Sequence, residues 1–410
     1  MKEALIKDKH KYTILKEGSI SSPKGFKAGG LHCGIRRKKL DLGWIYSEVP
    51  ANSAGVYTTN LFQAAPLTVT RESLAVENKI QAILVNSGNA NACTGEQGMK
   101  NALEMRNHFS TSLGIPEYYV AVTSTGVIGE QLPIDKINNG IKQINVMDNQ
   151  IGHFEQAILT TDLTVKHLAV SVEIDGKEVI IGGAAKGSGM IHPNMATMLG
   201  FVTTDALIAP DTLHAALKEI TNQSFNMITV DGDTSTNDMV LILANGLAAN
   251  NELSPNHPDW DTFMLGLEKV CEELAKKIAR DGEGATKLIE VEVQGAAELE
   301  TAQVISKTIV GSSLVKTAIF GSDANWGRIV CAVGYSGKMI DPLKVTVKIG
   351  QITVVENGMP QPFDEDQAKI YLQNEHIKIV VDLNEGSENA IAWGCDLTYD
   401  YVRINASYRT

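Results

Sequence analysis

The sequence predicts a mixed α/β protein, because segments with the pattern of buried strands alternate along the chain with segments of helical periodicity. The apolar runs 81–86 (QAILVN) and 118–125 (YYVAVTST) have the length and composition of buried strands. Over 258–280, apolar residues recur at steps of three and four, as they do along one face of a helix. These three observations agree on the α/β class.

The first part of the chain has a clear order of elements. We expect a helix over 97–113, between the two strand candidates. The long helix over 258–280 ends at Asp281-Gly282-Glu283-Gly284, where two glycines flank a carboxylate and break the helical pattern.

After this point the pattern changes, and we predict a domain boundary near residue 285, between a main catalytic domain (1–285) and a smaller carboxy-terminal α/β domain (286–410). KLIEVEVQG (287–295) alternates like a strand and is followed by a short helix. Further strands are predicted near 314–320, 343–348 and 351–355.

Composition and charge narrow the class of function. The 410 residues are 43% hydrophobic and 20% charged, and their net charge is -12, which disfavours binding to a nucleic-acid backbone. The amino terminus lacks the apolar core of a secretory signal, and no run approaches the ~18 apolar residues that span a bilayer. We therefore expect a soluble, cytoplasmic protein with small-molecule partners and no membrane partner.

No metal site is predicted. The five cysteines (33, 93, 271, 331 and 395) form no CxxC pair, and we expect them to be buried, reduced thiols. The nine histidines also lack ligand spacing. The segment 231–238 (DGDTSTND) begins like a calcium loop, but Thr236 and Ile242 occupy the positions that require glycine and glutamate.

Residues 182–206 (GGAAKGSGMIHPNMATMLGFVTTDA) are the most informative stretch. Its first half is dominated by small residues, with Lys186 as the single cation, and Thr197 lies in an apolar setting. A glycine-rich turn before a buried strand would explain this composition. A phosphate loop would not, because Lys186 precedes Gly187 instead of following a glycine.

The segment KGSGMIHPNMATML (186–199) resembles the self-cleavage signature of the ornithine acetyltransferase (ArgJ) family of arginine biosynthesis. Other blocks agree, in the same order along the whole chain: NSGNANACTG (86–95), TSTGVIGEQLP (123–133), TTD (160–162), TVDGDTSTND (229–238), GSDANWGR (321–328) and NASYRT (405–410). The resemblance implies an α/β sandwich shared with DmpA-type aminopeptidases, with a carboxy-terminal tail that returns to the active site.

The resemblance also implies a mechanism. The chain would cut itself between Ala196 and Thr197, giving an alpha chain (1–196) and a beta chain (197–410). The freed amine of Thr197 would serve as the base for its own hydroxyl, because an amino-terminal pKa is about 7.7–8.0. Thr197 would then carry the acetyl group from N2-acetyl-L-ornithine to L-glutamate, with an oxyanion hole at Thr125 and Gly126. His192 is expected to be structural, and Asp231 and Asp233 to support the site.

Substrate contacts implied by the resemblance are Thr160, Lys186, Thr197, Glu283, Asn405 and Thr410, with Thr161 an alternative to Thr160. A lysine can pair with a carboxylate of an amino acid, and a glutamate with its ammonium group. No bound cofactor is implied. Acetyl-CoA is a co-substrate if the enzyme is bifunctional, which the motifs leave open. The implied assembly is a heterotetramer of two alpha and two beta chains.

Two other functions remain at this stage. A related self-processing fold could use water as the acceptor and act as an amidase or aminopeptidase. Alternatively, an uncleaved chain could bind a metabolite without catalysis, and would then remain a single species of 44.2 kDa.

Overall fold

The computed structural model describes residues 12–192 and 198–407. Its strands are β1 (Tyr12–Ile14), β2 (Phe26–Leu31), β3 (Leu42–Tyr57), β4 (Lys79–Asn89), β5 (Val120–Val127), β6 (Lys166–Ile174), β7 (Lys177–Lys186), β8 (Leu199–Thr204), β9 (Ile228–Thr229), β10 (Met239–Ala244), β11 (Leu288–Ala296), β12 (Thr346–Ile349), β13 (Ile352–Glu356), β14 (Met359–Pro360), β15 (His376–Asp382) and β16 (Glu388–Cys395).

The helices alternate with these strands, so the predicted α/β class is confirmed. They are α1 (Ala65–Glu77), α2 (Gly95–Leu113), α3 (Ile134–Ile141), α4 (His153–Ala157), α5 (Pro210–Gln223), α6 (Trp260–Arg280), α7 (Leu299–Gly311), α8 (Ser313–Phe320), α9 (Trp326–Gly334), α10 (Glu365–Leu372) and α11 (Tyr399–Ser407). None of the helices in the described ranges is both long and apolar enough to cross a bilayer.

Two sheets organise the described residues. The first runs in the order β1-β6-β7-β8-β10-β3-β4-β5, with β2 also paired to β3. The second runs β14-β13-β12-β15-β11-β16-β9. Apart from β9, every strand of the second sheet follows residue 285, while β9 joins its edge by pairing in parallel with β16.

Helix α6 packs against both sheets and shows why the helical periodicity was a reliable signal. Its buried side chains include Phe263, Leu267 and Val270, spaced by four and three residues. The helix approaches β7 closely because position 183 is glycine: a Cβ there would lie 2.5 Å from Val270 Cγ1. Gly182 and Gly183 therefore serve close packing within a strand instead of forming a turn.

The strand predicted near 314–320 is wrong, because these residues form helix α8. The Ser312 hydroxyl caps this helix by accepting a hydrogen bond from the Val315 amide. Val315, Ala318 and Ile319 are then buried at the spacing of a helix face. A short apolar run can satisfy either periodicity, and here the cap favours the helix.

The prediction of five buried thiols is also only partly right. All five cysteines are free, and Cys271 and Cys395 are buried. Cys33 is half-buried, whereas Cys93 and Cys331 are exposed. Burial and the nearby Asp41 carboxylate raise the pKa of the Cys33 thiol to about 12.

Candidate active site

A cavity of about 180 Å³ lies where β5 and β7 end, and it brings together six predicted site residues that are far apart in sequence. These six are Thr125, Gly126, Thr160, Lys186, Glu283 and Asn405, and Thr161 lies beside them. The cavity also contains residues that the sequence did not predict as substrate contacts: Ile128, Gly189, Met190, Asp231, Asp233, Ser235, Asn237 and Tyr401.

Ala196, Thr197 and Thr410 lie outside the described residues. The register of the strands fixes the described residues on either side of 193–197. Lys186, the last residue of β7, pairs with Leu199, the first residue of β8. The chain on both sides of 193–197 therefore returns to the same edge of the cavity, beside the Lys186 side chain.

Lys186 and Thr125 are in direct contact. The lysine Nζ donates a hydrogen bond of 3.3 Å to Thr125 Oγ1, and both residues are 8% exposed. Asn237 fixes the end of β5 behind them by donating 2.8 Å to the Ser124 carbonyl. A buried cation thus lies next to a hydroxyl in the lining of the cavity, where water screens charge weakly.

Gly126 adopts a φ of +137°, and a Cβ at this position would lie 2.3 Å from the carbonyl carbon of Gly88. Glycine is therefore required here by the close approach of β4 to β5. This packing accounts for the residue type, and an oxyanion role for Gly126 stays a prediction.

The last helix, α11, supplies another part of the cavity lining. Asn405 Nδ2, from α11, donates a hydrogen bond of 2.8 Å to Glu283 Oε2. Glu283 follows α6, and its amide donates to the Ser188 carbonyl at 3.0 Å. A Cβ on Gly189 would lie 2.5 Å from this carboxylate, so the small residue makes room for it.

Asp231 holds the first half of the cleavage signature, in the segment between Lys186 and His192. Its carboxylate accepts hydrogen bonds from the amides of Met190 (2.7 Å) and Ile191 (2.9 Å), and from the Tyr401 hydroxyl (3.3 Å). This geometry agrees with the supporting role expected for Asp231. The Asp233 side chain also lines the cavity, and its amide donates to Asp231 at 3.3 Å.

His192 forms structural contacts. Its Nδ1 lies 3.0 Å from Thr229 Oγ1, and its carbonyl accepts a hydrogen bond from Thr234. Burial and the positive charge of Lys307 lower the pKa of the ring to about 4, against the opposing effect of Asp231. The ring is therefore neutral near pH 7, in keeping with the structural role expected for it.

Two further carboxyl groups near Lys186 are strongly perturbed. Burial raises the pKa of Asp238 well above its usual range, although the positive charge of Lys186 opposes this. Burial also acts to raise the pKa of Asp162, but Lys186 and Lys166 outweigh it and hold that pKa below the usual range. Sequence reasoning missed both residues as members of the site, although Asp162 stands in the TTD block and Asp238 ends the TVDGDTSTND block.

One group of metal-ligand type occurs among the described residues, at Asp175, His257 and Asp259. Its members bond to each other and to backbone: His257 Nε2 lies 3.2 Å from Asp175 Oδ1, and Asp259 accepts the Asp175 amide. These contacts explain the grouping without an ion.

Comparison with known proteins gives a consistent result over nearly the whole chain. The ArgJ family model matches residues 27–410. The "Arginine biosynthesis bifunctional protein ArgJ" of Oceanobacillus iheyensis is 60% identical over 398 residues, covering 97% of this chain and 98% of the relative. The Bacillus subtilis protein of the same name is 58% identical over 393 residues, covering 96% and 97%.

A solved structure is also similar. A chain in the crystal structure of the arginine biosynthesis bifunctional protein argJ from Bacillus halodurans is 58% identical to this one, with a TM-score of 0.51. The match covers 100% of that chain but 52% of this one.

Proposed function

Because the chain belongs to the ArgJ family, we propose that it is a bifunctional acetyltransferase of arginine biosynthesis. It moves the acetyl group of N2-acetyl-L-ornithine to L-glutamate, and it also acetylates glutamate from acetyl-CoA. The motifs left the second activity open. Relatives of 58–60% identity over almost their whole length carry the name bifunctional, and this supports the second activity.

The observation that carries the proposal is the meeting of Lys186 and Glu283 in one cavity, both 8% exposed. Ornithine and glutamate each carry an α-carboxylate and an amine. The buried Lys186 suits the α-carboxylate, and the buried Glu283 carboxylate suits the amine in its protonated, ammonium form. Both substrates can therefore use the same cavity in turn, as a two-step exchange through an acyl-enzyme requires.

We propose Thr197 as the nucleophile. Its hydroxyl first attacks the Ala196 carbonyl, and water hydrolyses the resulting ester to free the Thr197 amine. The Bacillus halodurans chain supports a division into fragments of this size, because it is matched in full and covers 52% of this chain, the same share as residues 197–410. The pairing of Lys186, which lines the cavity, with Leu199, two positions after Thr197, also supports this assignment.

The transfer then follows from the groups present. Thr197 Oγ attacks the acetyl carbonyl of N-acetylornithine while the Thr197 amine takes the hydroxyl proton and passes it to the departing ornithine amine. In the second step the neutral amine of glutamate attacks the acetyl carbon, the bond from that carbon to Thr197 Oγ breaks, and the Thr197 amine transfers the proton released by the attacking amine to Thr197 Oγ. The Thr125 hydroxyl and Gly126 amide donate to the oxyanion of each tetrahedral intermediate.

The two fragments stay associated after the cut, because the first sheet crosses it. Strand β7 belongs to residues 1–196 and β8 to residues 197–410, and their antiparallel ladder runs from Ile181–Thr204 to Lys186–Leu199. Strand β10 likewise pairs with β3 of the other fragment. Two such pairs would form the heterotetramer that the family resemblance implies.

An acetyl-transfer assay tests the proposal. Purified protein is given N-acetylornithine with and without glutamate, and ornithine, N-acetylglutamate and free acetate are measured. We expect ornithine and N-acetylglutamate in equal amounts, and Thr197→Ala should remain a single chain without turnover. Acetate as the main product would favour the amidase alternative, and an uncleaved wild-type chain without turnover would favour a binding protein.

A further inference from the structure

A buried ion triad lies behind the cavity, formed by Asp162, Lys166 and Asp281. Lys166 is 0% exposed, and its Nζ donates to Asp162 Oδ1 (2.7 Å), Asp281 Oδ2 (2.6 Å) and the Thr164 carbonyl (3.2 Å). All three of its protons are therefore used. Among the described residues that line the cavity, none belongs to the triad.

Asp162 connects the triad to two predicted substrate contacts. Its Oδ2 accepts hydrogen bonds from the amide (3.0 Å) and the hydroxyl (3.4 Å) of Thr160. Its Oδ1 accepts the Gly187 amide at 2.7 Å, which fixes the backbone immediately after Lys186. One carboxylate thus holds the segments that carry Thr160 and Lys186.

Asp281 connects the triad to a third contact. Its Oδ2 accepts the amides of Leu163 and Thr164 at 3.1 and 3.3 Å. Its carbonyl accepts the Ser188 hydroxyl at 2.7 Å, and the Ser188 carbonyl accepts the Glu283 amide at 3.0 Å. The loop that carries Glu283 is therefore tied to the same centre.

We infer that the triad of Asp162, Lys166 and Asp281 is the positioning device of the substrate cavity, which sets Thr160, Lys186 and Glu283 relative to one another. The three residues are positioning residues and do not touch the substrate. The inference rests on the proposed function, because it assigns those three contacts to the amino-acid substrates.

Stability alone does not explain why the triad of charged side chains is buried. Burying three charged groups carries a large desolvation cost, and well-packed apolar side chains often match or exceed the stability of a buried ion pair. What apolar side chains would not supply is the set of directional bonds to the Thr160, Gly187 and Ser188 segments. A shift of about 1 Å in such segments is enough to impair a site that depends on oriented contacts.

The experiment measures KM and kcat of Lys166→Met for N-acetylornithine and for glutamate. The three contacts bind the amino-acid part of each substrate before and during the reaction, so we expect KM to rise about tenfold for both while kcat changes less. A purely structural role would lower the amount of folded enzyme, which reduces the apparent kcat and leaves KM unchanged.

Two further variants make the test decisive. Lys166→Met/Asp281→Asn restores the net charge of the triad, so that it can fold where the single variant cannot, and we expect the same rise in KM. Lys287→Met is the matched control: Lys287 is also buried, but its Nζ donates to Ile319 O and Ser322 Oγ, away from the cavity. Its KM values should stay within about twofold of wild type.

Wild-type KM values for both substrates in the folded double variant would overturn the inference, as would an equal rise in KM in Lys287→Met. The rate of the wild-type enzyme tests the proposed function separately. A wild type without acetyl transfer would contradict that function, whereas an active wild type with unaltered KM in the variants would contradict the triad alone.

Discussion

Two lysines of this protein each contact two carboxylates, but in very different surroundings. Lys166 is completely buried between Asp162 and Asp281 in the first sheet and the loops beside the cavity. Lys378, in the second sheet, has 42% of its side chain exposed and lies 3.3 and 2.7 Å from Glu290 and Glu292. The Glu290 and Glu292 side chains are 9% and 19% exposed, so in this second group the lysine alone is well exposed, and water screens its ion pairs more than those of Lys166. The carboxylates of the Lys166 group also accept backbone amides from several segments, which those of the Lys378 group lack among their described contacts.

The largest expected difference is in stability. Lys166→Met leaves two buried carboxylates without their cation, so we expect it to lower the free energy of unfolding by about 3–5 kcal/mol. Lys378→Met removes a half-exposed cation, and Glu290 keeps its hydrogen bond from Trp393 Nε1, so the loss should be smaller, about 1 kcal/mol. Urea denaturation should be followed in the Thr197→Ala background, where a single chain unfolds. Equal losses in the two variants would show that burial does not distinguish the two groups.

A smaller effect should follow from adding one methyl group beside the cavity. In Gly189→Ala the new Cβ would lie 2.5 Å from the Glu283 carboxylate, which must move. We expect KM for both substrates to rise about tenfold with little change in stability, because a flexible carboxylate yields more easily than backbone. Gly334→Ala is the control: it ends α9, and a Cβ there meets nothing within 4 Å. Unchanged KM values in Gly189→Ala would mean that Glu283 does not contact the substrate.

The smallest effect is the acid sensitivity of protein stability that we expect from His192, which lies five residues before Thr197. The pKa of His192 is lowered to about 4 from its ordinary value of 6.5. Between these two values the unfolded chain binds a proton that the folded protein does not, so stability falls as the pH decreases from 6.5 to 4. His192→Gln should flatten this part of the curve, which urea midpoints at pH 7 and pH 4.5 would measure. A loss as steep as in wild type would show that other groups cause the acid sensitivity.

The sequence predicted those elements whose pattern is local and long. Helix α6 was found because Phe263, Leu267 and Val270 share one face over several turns, and β4 because it is a continuous apolar run. The segment 314–320 was misassigned because seven residues are too few for the period to decide, and the deciding cap is Ser312.

The site was less accessible to sequence reasoning, for a physical reason. Thr125, Lys186 and Glu283 were named through the family resemblance, but their meeting depends on strand register and on the return of α11, neither of which is a local property. The ion triad was missed altogether. Lys166 and Asp281 are 115 residues apart, and no spacing rule connects them. Asp162 appeared in the sequence analysis only as the last residue of the TTD block (160–162).

The central claim is that Thr197 carries the acetyl group, and intact-mass spectrometry tests it most directly. The purified enzyme is mixed with N-acetylornithine, quenched in acid, and then chased in a parallel sample with glutamate. We expect the fragment 197–410, beginning Thr-Met-Leu-Gly, to gain the mass of one acetyl group and to lose it on the chase, while residues 1–196 stay unchanged. An acetyl group on residues 1–196, or turnover with no acetylated fragment and no cut before Thr197, would contradict the account.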